Sequence, residues 1–322
     1  MALHQASGRW KLGLSMALLT ALSWATLPVA LKITLEQLDP YTLTWFRFLV
    51  AALLMLAWLG MRRGFGGFAG LGGRRWAMLL VAALGLIGNY VFYLLGVQHT
   101  TPGNAQLLIQ LAPLLMALGG IFVFREHYRP AQWAGLGVIV LGLALFFREQ
   151  LVHAASGHDY AVGSALVLVA AIVWALYALL QKQLLTRLDS PSIQAFIYVL
   201  AAIVLLPLAH PRELLALDAR HAWLLAFCSI NTLVAYGAFA EALAHWEASR
   251  VSAILAVTPL LTLATIAGLH ALGAVGVAAE HVGTIGYVGA LLVVAGSAMC
   301  SLLGTARAAP AGAGTAADGE PA

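Results

Sequence analysis

Most residues with useful chemistry in this chain sit inside long apolar stretches, and their spacing groups them. Gln106, Gln110 and Pro113 recur at i, i+4 and i+7, so one helix would carry them on one face. Trp174, Tyr177 and Gln181 follow a similar i, i+3, i+7 stripe, with Trp24 in an equivalent setting. Asn89, Tyr90 and Tyr93 form a third group, and Asn231 and Tyr236 a fourth. Amides and phenols offer hydrogen bonds and indoles offer flat apolar faces, a mixture suited to a small amphipathic solute. The same side chains suit helix packing with satisfied polar tips, so both roles stay open. Pro113 and Pro259 each remove a backbone hydrogen bond, which makes them gate candidates or plain kinks.

The ionisable residues are few. Glu241 and His245 lie at i, i+4 and could load and release a proton, or form an interfacial pair near Glu247 and Arg250. Arg47 is expected about one turn inside an apolar stretch. There it would snorkel to the interface near Glu36 and Asp39, or bind a carboxylate at an outer gate. Glu126 and Glu280 fall at loop–helix junctions and read as caps or ion-pair partners. No His-Glu-x-x-His, Gly-x-Ser-x-Gly, P-loop or embedded aspartate pair occurs, so no catalytic residue, metal ligand or cofactor is expected. No repeated polar loop suggests a channel filter. Cys228 and Cys300 both lie in apolar stretches and give neither a disulfide framework nor a metal spacing.

Composition dictates what must position these groups. Hydrophobic residues make up 62% of 322 positions and charged residues 9%, against roughly 45–50% and about 25% in soluble domains. A soluble fold has no means of hiding that much apolar surface, so the lipid bilayer is the expected solvent. Ten apolar stretches are found, at 12–33, 43–61, 76–97, 103–124, 130–147, 161–182, 192–209, 221–243, 250–272 and 282–303. Each is near the roughly 20 residues a helix needs to cross the hydrocarbon core. They are continuously apolar rather than alternating, which predicts an all-α membrane protein and not a barrel. The first stretch has a cationic flank like a signal peptide, but its in-register partner at 161–182 predicts that it is retained. The net charge of +4 follows loop location, and no nucleic-acid partner is expected.

The chain is also one unit written twice. Residues 13–48 align without a gap on 163–198, setting Trp24 on Trp174, Lys32 on Lys182, Leu38-Asp39 on Leu188-Asp189 and Phe46 on Phe196. Further along, Tyr90 meets Tyr236 and Pro113-Leu114-Leu115 meets Pro259-Leu260-Leu261. Glu126 then meets Glu280, and Gly135 and Gly142 meet Gly289 and Gly296. Five spans per copy is an odd number, so the second copy enters from the opposite face, an arrangement common in secondary transporters. The expected units are a first repeat at 1–147, an outer linker at 148–160, a second repeat at 161–303 and a disordered cytoplasmic tail at 304–322. With the termini in the cytoplasm, twelve Lys and Arg residues fall inside and four outside, leaving Arg47 within the second span.

With the duplication, the ten spans and these motifs, the chain resembles the drug/metabolite transporter superfamily, specifically its EamA-type carriers. The matching pieces are Trp24 and Lys32, Arg47-Phe48, the turns Ala112-Pro113-Leu114 and Thr258-Pro259-Leu260, the positions of Glu126 and Glu280, and the glycines that follow. The resemblance implies a cavity between spans 1, 3 and 4 and their counterparts 6, 8 and 9, with 5 and 10 peripheral. It also implies alternating-access movement of a small metabolite across the cytoplasmic (inner) membrane, with an amino acid or related compound exported. A sugar or nucleotide-sugar carrier of the same superfamily is the other transport reading, and a membrane receptor or enzyme the reading outside transport. A homodimer is compatible with the sequence.

Overall fold

The computed structural model describes residues 6–62, 67–100, 105–106, 108–126, 128–153, 158–272 and 283–302. The expected tail at 304–322 and Glu280 lie outside them, as do residues 154–157 of the expected linker. Every regular element among the described residues is helical: α1 (Trp10–Thr34), α2 (Pro40–Met61), α3 (Gly73–His99), α4 (Leu111–Phe124), α5 (Pro130–His153), α6 (His158–Leu184), α7 (Ser190–Leu205), α8 (Ala219–His245), α9 (Ala248–Leu255), α10 (Thr258–Ala271) and α11 (Thr284–Leu302). Seven stretches are long and apolar enough to cross a membrane, counting Ala248–Ala271 as one, and three shorter apolar helices accompany them. Large apolar side chains such as Leu22, Leu53, Ile172 and Leu291 are exposed on the outer faces, as lipid-facing surface requires.

Two of the expected spans differ from continuous helices. The fourth is interrupted before Leu111: residues 105, 106 and 108 are helical, and the chain tightens at Ile109-Gln110. There Ala112 N–H bonds the carbonyl of Ile109, three residues back, and Pro113 has no N–H to give. The ninth is divided into α9 and α10 at Ala256-Val257, where Val257 N–H likewise reaches back three residues to Ile254 and Pro259 follows. The two interruptions occupy matching places in the two copies. Elsewhere local chemistry sets the boundaries. Asp39 accepts hydrogen bonds from the Tyr41 and Thr42 N–H groups and Pro40 opens α2; Asp189 caps α7 through Ser192 N–H in the same way. The helix α5 continues to His153, past the expected end at 147, into the stretch read as a linker.

The packing is two-fold. Helix α1 lies against α8 and α10, and its counterpart α6 lies against α3 and α4; α2 packs on α7, and α5 on α11. Equivalent helices run in opposite directions. Gly13, at the start of α1, abuts Trp246 at the end of α8, whereas Gly163, at the start of α6, abuts His99 and Thr100 at the end of α3. Leu35, after α1, shares a cluster with Val97 and with Val167 at the beginning of α6. At this end Gln37 also bonds Asp218, and His210 N–H bonds Thr42. The opposite end holds Lys182, Glu126 and the start of α9.

The α5–α11 contact shows the symmetry most closely. A Cβ at Gly142 would meet the Gly289 carbonyl at 2.6 Å, and one at Gly296 would meet the Gly135 carbonyl at 2.5 Å. Each glycine therefore faces the counterpart of the other, which is what an antiparallel pair about a two-fold axis produces. Gly142→Leu is expected to push the helices apart and destabilise the protein by about 1–3 kcal/mol, as overpacking does. Gly137→Leu, on the same helix where nothing lies within 4 Å, should stay within about 0.5 kcal/mol. Thermal unfolding in detergent separates the two; equal losses would mean that α5 and α11 are not in close contact.

Candidate functional site

A cavity sits where the two halves meet, with about 100 Å³ open to the centres of water molecules. One water needs roughly 10–15 Å³ by that measure, so several fit. Fourteen of the 18 lining residues come from the first copy and four (Trp174, Tyr236, Leu255 and Thr258) from the second. The contributions of α1 and α3 include Leu27, Pro28, Leu31 and Leu94 from their later halves, so the space extends from the molecular centre toward the end marked by Asp39. Neither α5 nor α11 lines it.

Its aromatic wall brings repeat-related residues into direct contact. Trp24 and Trp174 pack edge to face with centroids 5.5 Å apart, and Tyr90 and Tyr236 lie 5.6 Å apart. Tyr236 also packs against Trp24 at 5.3 Å. Counterparts that touch must lie at the two-fold axis. The polar wall is built around the interrupted fourth span. Tyr93 donates to Gln106 Oε1 at 3.0 Å, and Gln110 Nε2 donates to the Gln106 carbonyl. Gln110 Oε1 and Thr258 Oγ1 are buried without a hydrogen-bond partner among the described residues. Asn89 Nδ2 bonds the Ala170 carbonyl at 3.0 Å and ties α3 to α6.

Arg47 departs most from the sequence expectation. It lies two turns inside α2, is 1% exposed and does not snorkel. Its Nε donates to the Cys228 carbonyl and to Thr232 Oγ1 at 3.0 Å, and its guanidinium carbon is 4.7 Å from the Tyr90 ring centre. It makes no ion pair among the described residues, although it lines the cavity. The reason is packing: α8 crosses α2 and offers a carbonyl and a hydroxyl where interface water was expected. This also adds α2 to the helices around the cavity, which the family resemblance did not include.

The remaining expected residues divide cleanly. Trp24, Asn89, Tyr90, Tyr93, Gln106, Gln110, Pro113, Trp174 and Tyr236 line the cavity with Arg47. Tyr177 and Gln181 do not; both are fully buried and grouped around Gln194, whose Nε2 donates to Tyr177 Oη at 3.1 Å. Asn231 instead bonds the Ser23 carbonyl and holds α8 to α1. Pro259 is in the first turn of α10, with Thr258 taking the lining position. Glu241 and His245 pair at 3.3 Å near the end of α8, where His245 also meets Ser7, away from the cavity. Arg250 pairs with Glu247 rather than with Glu241. Pro28, inside α1, was not singled out, though a proline within a spanning stretch was a visible signal.

Beyond the cavity, at the other end of the molecule, Glu126 joins three elements. Its carboxylate accepts from Lys182 Nζ at 2.7 Å and from the Ala248 and Ser249 N–H groups at 2.9 and 3.1 Å. Burial alone would raise its pKa, but the Lys182 charge and these hydrogen bonds hold it below the usual carboxylate range. A lowered value means that the bridge is complete at neutral pH and is lost as pH falls through that value. The only acidic–histidine group within metal-binding reach among the described residues is Asp39, His210 and Glu213. It lies at the surface, and Asp39 there is already the cap of α2.

The sequence profile of the EamA-like transporter family matches residues 11–148 and 161–302. The uncharacterized inner membrane transporter YhbE of Escherichia coli (strain K12) is 38% identical over 295 residues, covering 91% of this chain and 92% of that protein. A protein of Salmonella typhimurium named "Probable amino-acid metabolite efflux pump" is 24% identical over 261 residues, 76% of this chain and 82% of its own. One crystal structure superposes with a TM-score of 0.69 at 18% identity, over 90% of this chain and 96% of that one, and so shares the fold. The chain belongs to the EamA-like transporter family.

Proposed function

We propose that the protein is a secondary transporter of the cytoplasmic membrane that exports an amino acid or closely related metabolite by alternating access. Ten spans form two inverted five-helix repeats, with both termini in the cytoplasm and the Asp39 end outside. The described conformation is then outward-facing, since the cavity extends toward that end and the Glu126 end is closed. The inverted arrangement is supported by the antiparallel packing of equivalent helices, and the orientation by the twelve-to-four distribution of cations.

The observation that carries the substrate reading is Arg47. A guanidinium that is 1% exposed and forms no ion pair among the described residues is costly in a low-dielectric site. A carboxylate on the solute would neutralise it through a bidentate, charge-assisted contact. Around it, Trp24, Trp174, Tyr90 and Tyr236 supply an apolar and aromatic wall, while Gln110 Oε1 and Thr258 Oγ1 supply acceptors for an ammonium group. That combination fits an amphipathic amino acid better than a sugar, which has no charge for Arg47, or a nucleotide sugar, for which the lining offers one cation. The name of the Salmonella relative agrees with this reading in both solute class and direction.

Counterflow in proteoliposomes of purified protein, screened over amino acids, nucleosides and sugars, tests the proposal. Saturable exchange is expected for one group of amino acids, and their carboxamides should compete poorly. Arg47→Gln should raise the half-saturating concentration roughly 10- to 100-fold, the equivalent of one hydrogen-bonded charge contact, and abolish the preference for acid over amide. Amides that exchange as well as acids in the wild type would remove Arg47 from the site. Gln110→Ala and Trp174→Ala should each lower exchange of the same solutes. If both variants transport normally, the solute binds elsewhere.

A further inference from the structure

A second, much smaller pocket continues from the main cavity toward the Glu126 end, sharing Gln110 and Pro113 with it. It has about 10 Å³ open to water centres, room for no more than one water. Tyr128, Ser249, Ser252 and Cys300 line it beside apolar residues of α4, α5 and α9. A seam meant only for packing has no use for polar groups, yet Gln110 Oε1 and Ser252 Oγ lack a hydrogen-bond partner among the described residues. Those two residues are 3% and 2% exposed. Unsatisfied buried groups call for an explanation; a second state of the molecule in which they meet solute or water supplies one.

The duplication says what that state is. The offset that sets Pro113 on Pro259 also sets Gln106 on Ser252 and Gln110 on Ala256. The seam is therefore walled by the second copy's equivalents of residues that line the open cavity. At its far end the Glu126 carboxylate holds Lys182 and the first N–H groups of α9, the helix that carries Ser249 and Ser252. Gly120 backs this contact: a Cβ there would meet Glu126 Oε2 at 2.6 Å and Ser249 N at 3.2 Å. Lys32, the counterpart of Lys182, is exposed at the other end and forms no ion pair among the described residues. Glu280, the counterpart of Glu126, lies outside the described residues.

We propose that this seam is the closed half of the substrate path, with Ser252 as a solute-contacting residue in its wall and the Glu126–Lys182–α9 junction as its bolt. Gln110 stands where the two halves join, able to pass the polar end of the solute from one side to the other. The proposal rests on the transporter reading above, but its test needs no substrate.

Cysteine accessibility decides it. In a Cys228→Ala, Cys300→Ala background, Ser252→Cys is exposed to a membrane-impermeant methanethiosulfonate, MTSET, in inside-out vesicles. Slow modification is expected, rising at least about tenfold when Glu126→Gln removes the charge partner of Lys182. Leu79→Cys, fully buried in the α3 core and outside both pockets, reports general loosening and should stay unreactive throughout. Ser252→Cys reactivity that is unchanged by Glu126→Gln, or that rises only together with Leu79→Cys, overturns the proposal. Absence of solute counterflow beside the expected labelling pattern would instead count against the substrate reading and leave the path intact.

Discussion

The carboxylate of Glu126 holds together the ends of three elements that otherwise share no backbone connection. It takes one hydrogen bond from Lys182 at the end of α6 and two from the backbone at the start of α9, and it follows α4 directly. With side-chain exposures of 2% for Lys182 and 9% for Glu126, the pair is shielded from solvent screening. Removing one partner of such a pair costs about 3–5 kcal/mol, because the other charge stays buried. Lysine neutralises the charge and the α9 N–H groups meet the remaining lone pairs, so the arrangement satisfies both sides.

Arg47, in the wall of the cavity, presents the opposite situation. Its Nε is satisfied by α8, its face rests on Tyr90, and its charge has no counter-ion among the described residues. The two breaks, before α4 and between α9 and α10, border the same space through Ile109, Gln110, Leu255 and Thr258. Interrupted backbone at membrane depth is tolerated where it lines a cavity. The positive ends of the helices that restart there add to the field of the guanidinium. Cation, helix termini and aromatic faces thus converge on one volume.

A near-symmetric scaffold supports this asymmetric site. Contacts between helices exchange under the repeat, and the glycine pairs of α5 and α11 do so residue by residue. The side chains do not follow: Gln106 and Gln110 stand opposite Ser252 and Ala256, Lys182 is bridged, and Lys32 is exposed. Backbone symmetry supplies two similar half-structures, while the side chains that differ give the cavity unequal walls.

The sequence by itself determined what repeats and what lies in lipid. Apolar stretches had to become helices, because lipid leaves backbone groups no other partner; α2 and α7 start at Pro40 and Ser190, a few residues before the expected 43 and 192, where Asp39 and Asp189 cap them. The duplication also put Trp24 with Trp174 and Tyr90 with Tyr236, and those pairs do meet. What the sequence left undecided depended on neighbours from distant parts of the chain. Tyr177 and Gln181 share a stripe with Trp174, yet Gln194 from α7 takes them into the core. Asn231 was drawn to a carbonyl of α1. Arg47 was kept from the interface by a carbonyl and a hydroxyl 181 and 185 residues away along the chain. Periodicity reports which face of a helix a residue occupies. Whether that face meets a cavity, a hydrogen-bond partner or another helix is settled only when the two copies pack.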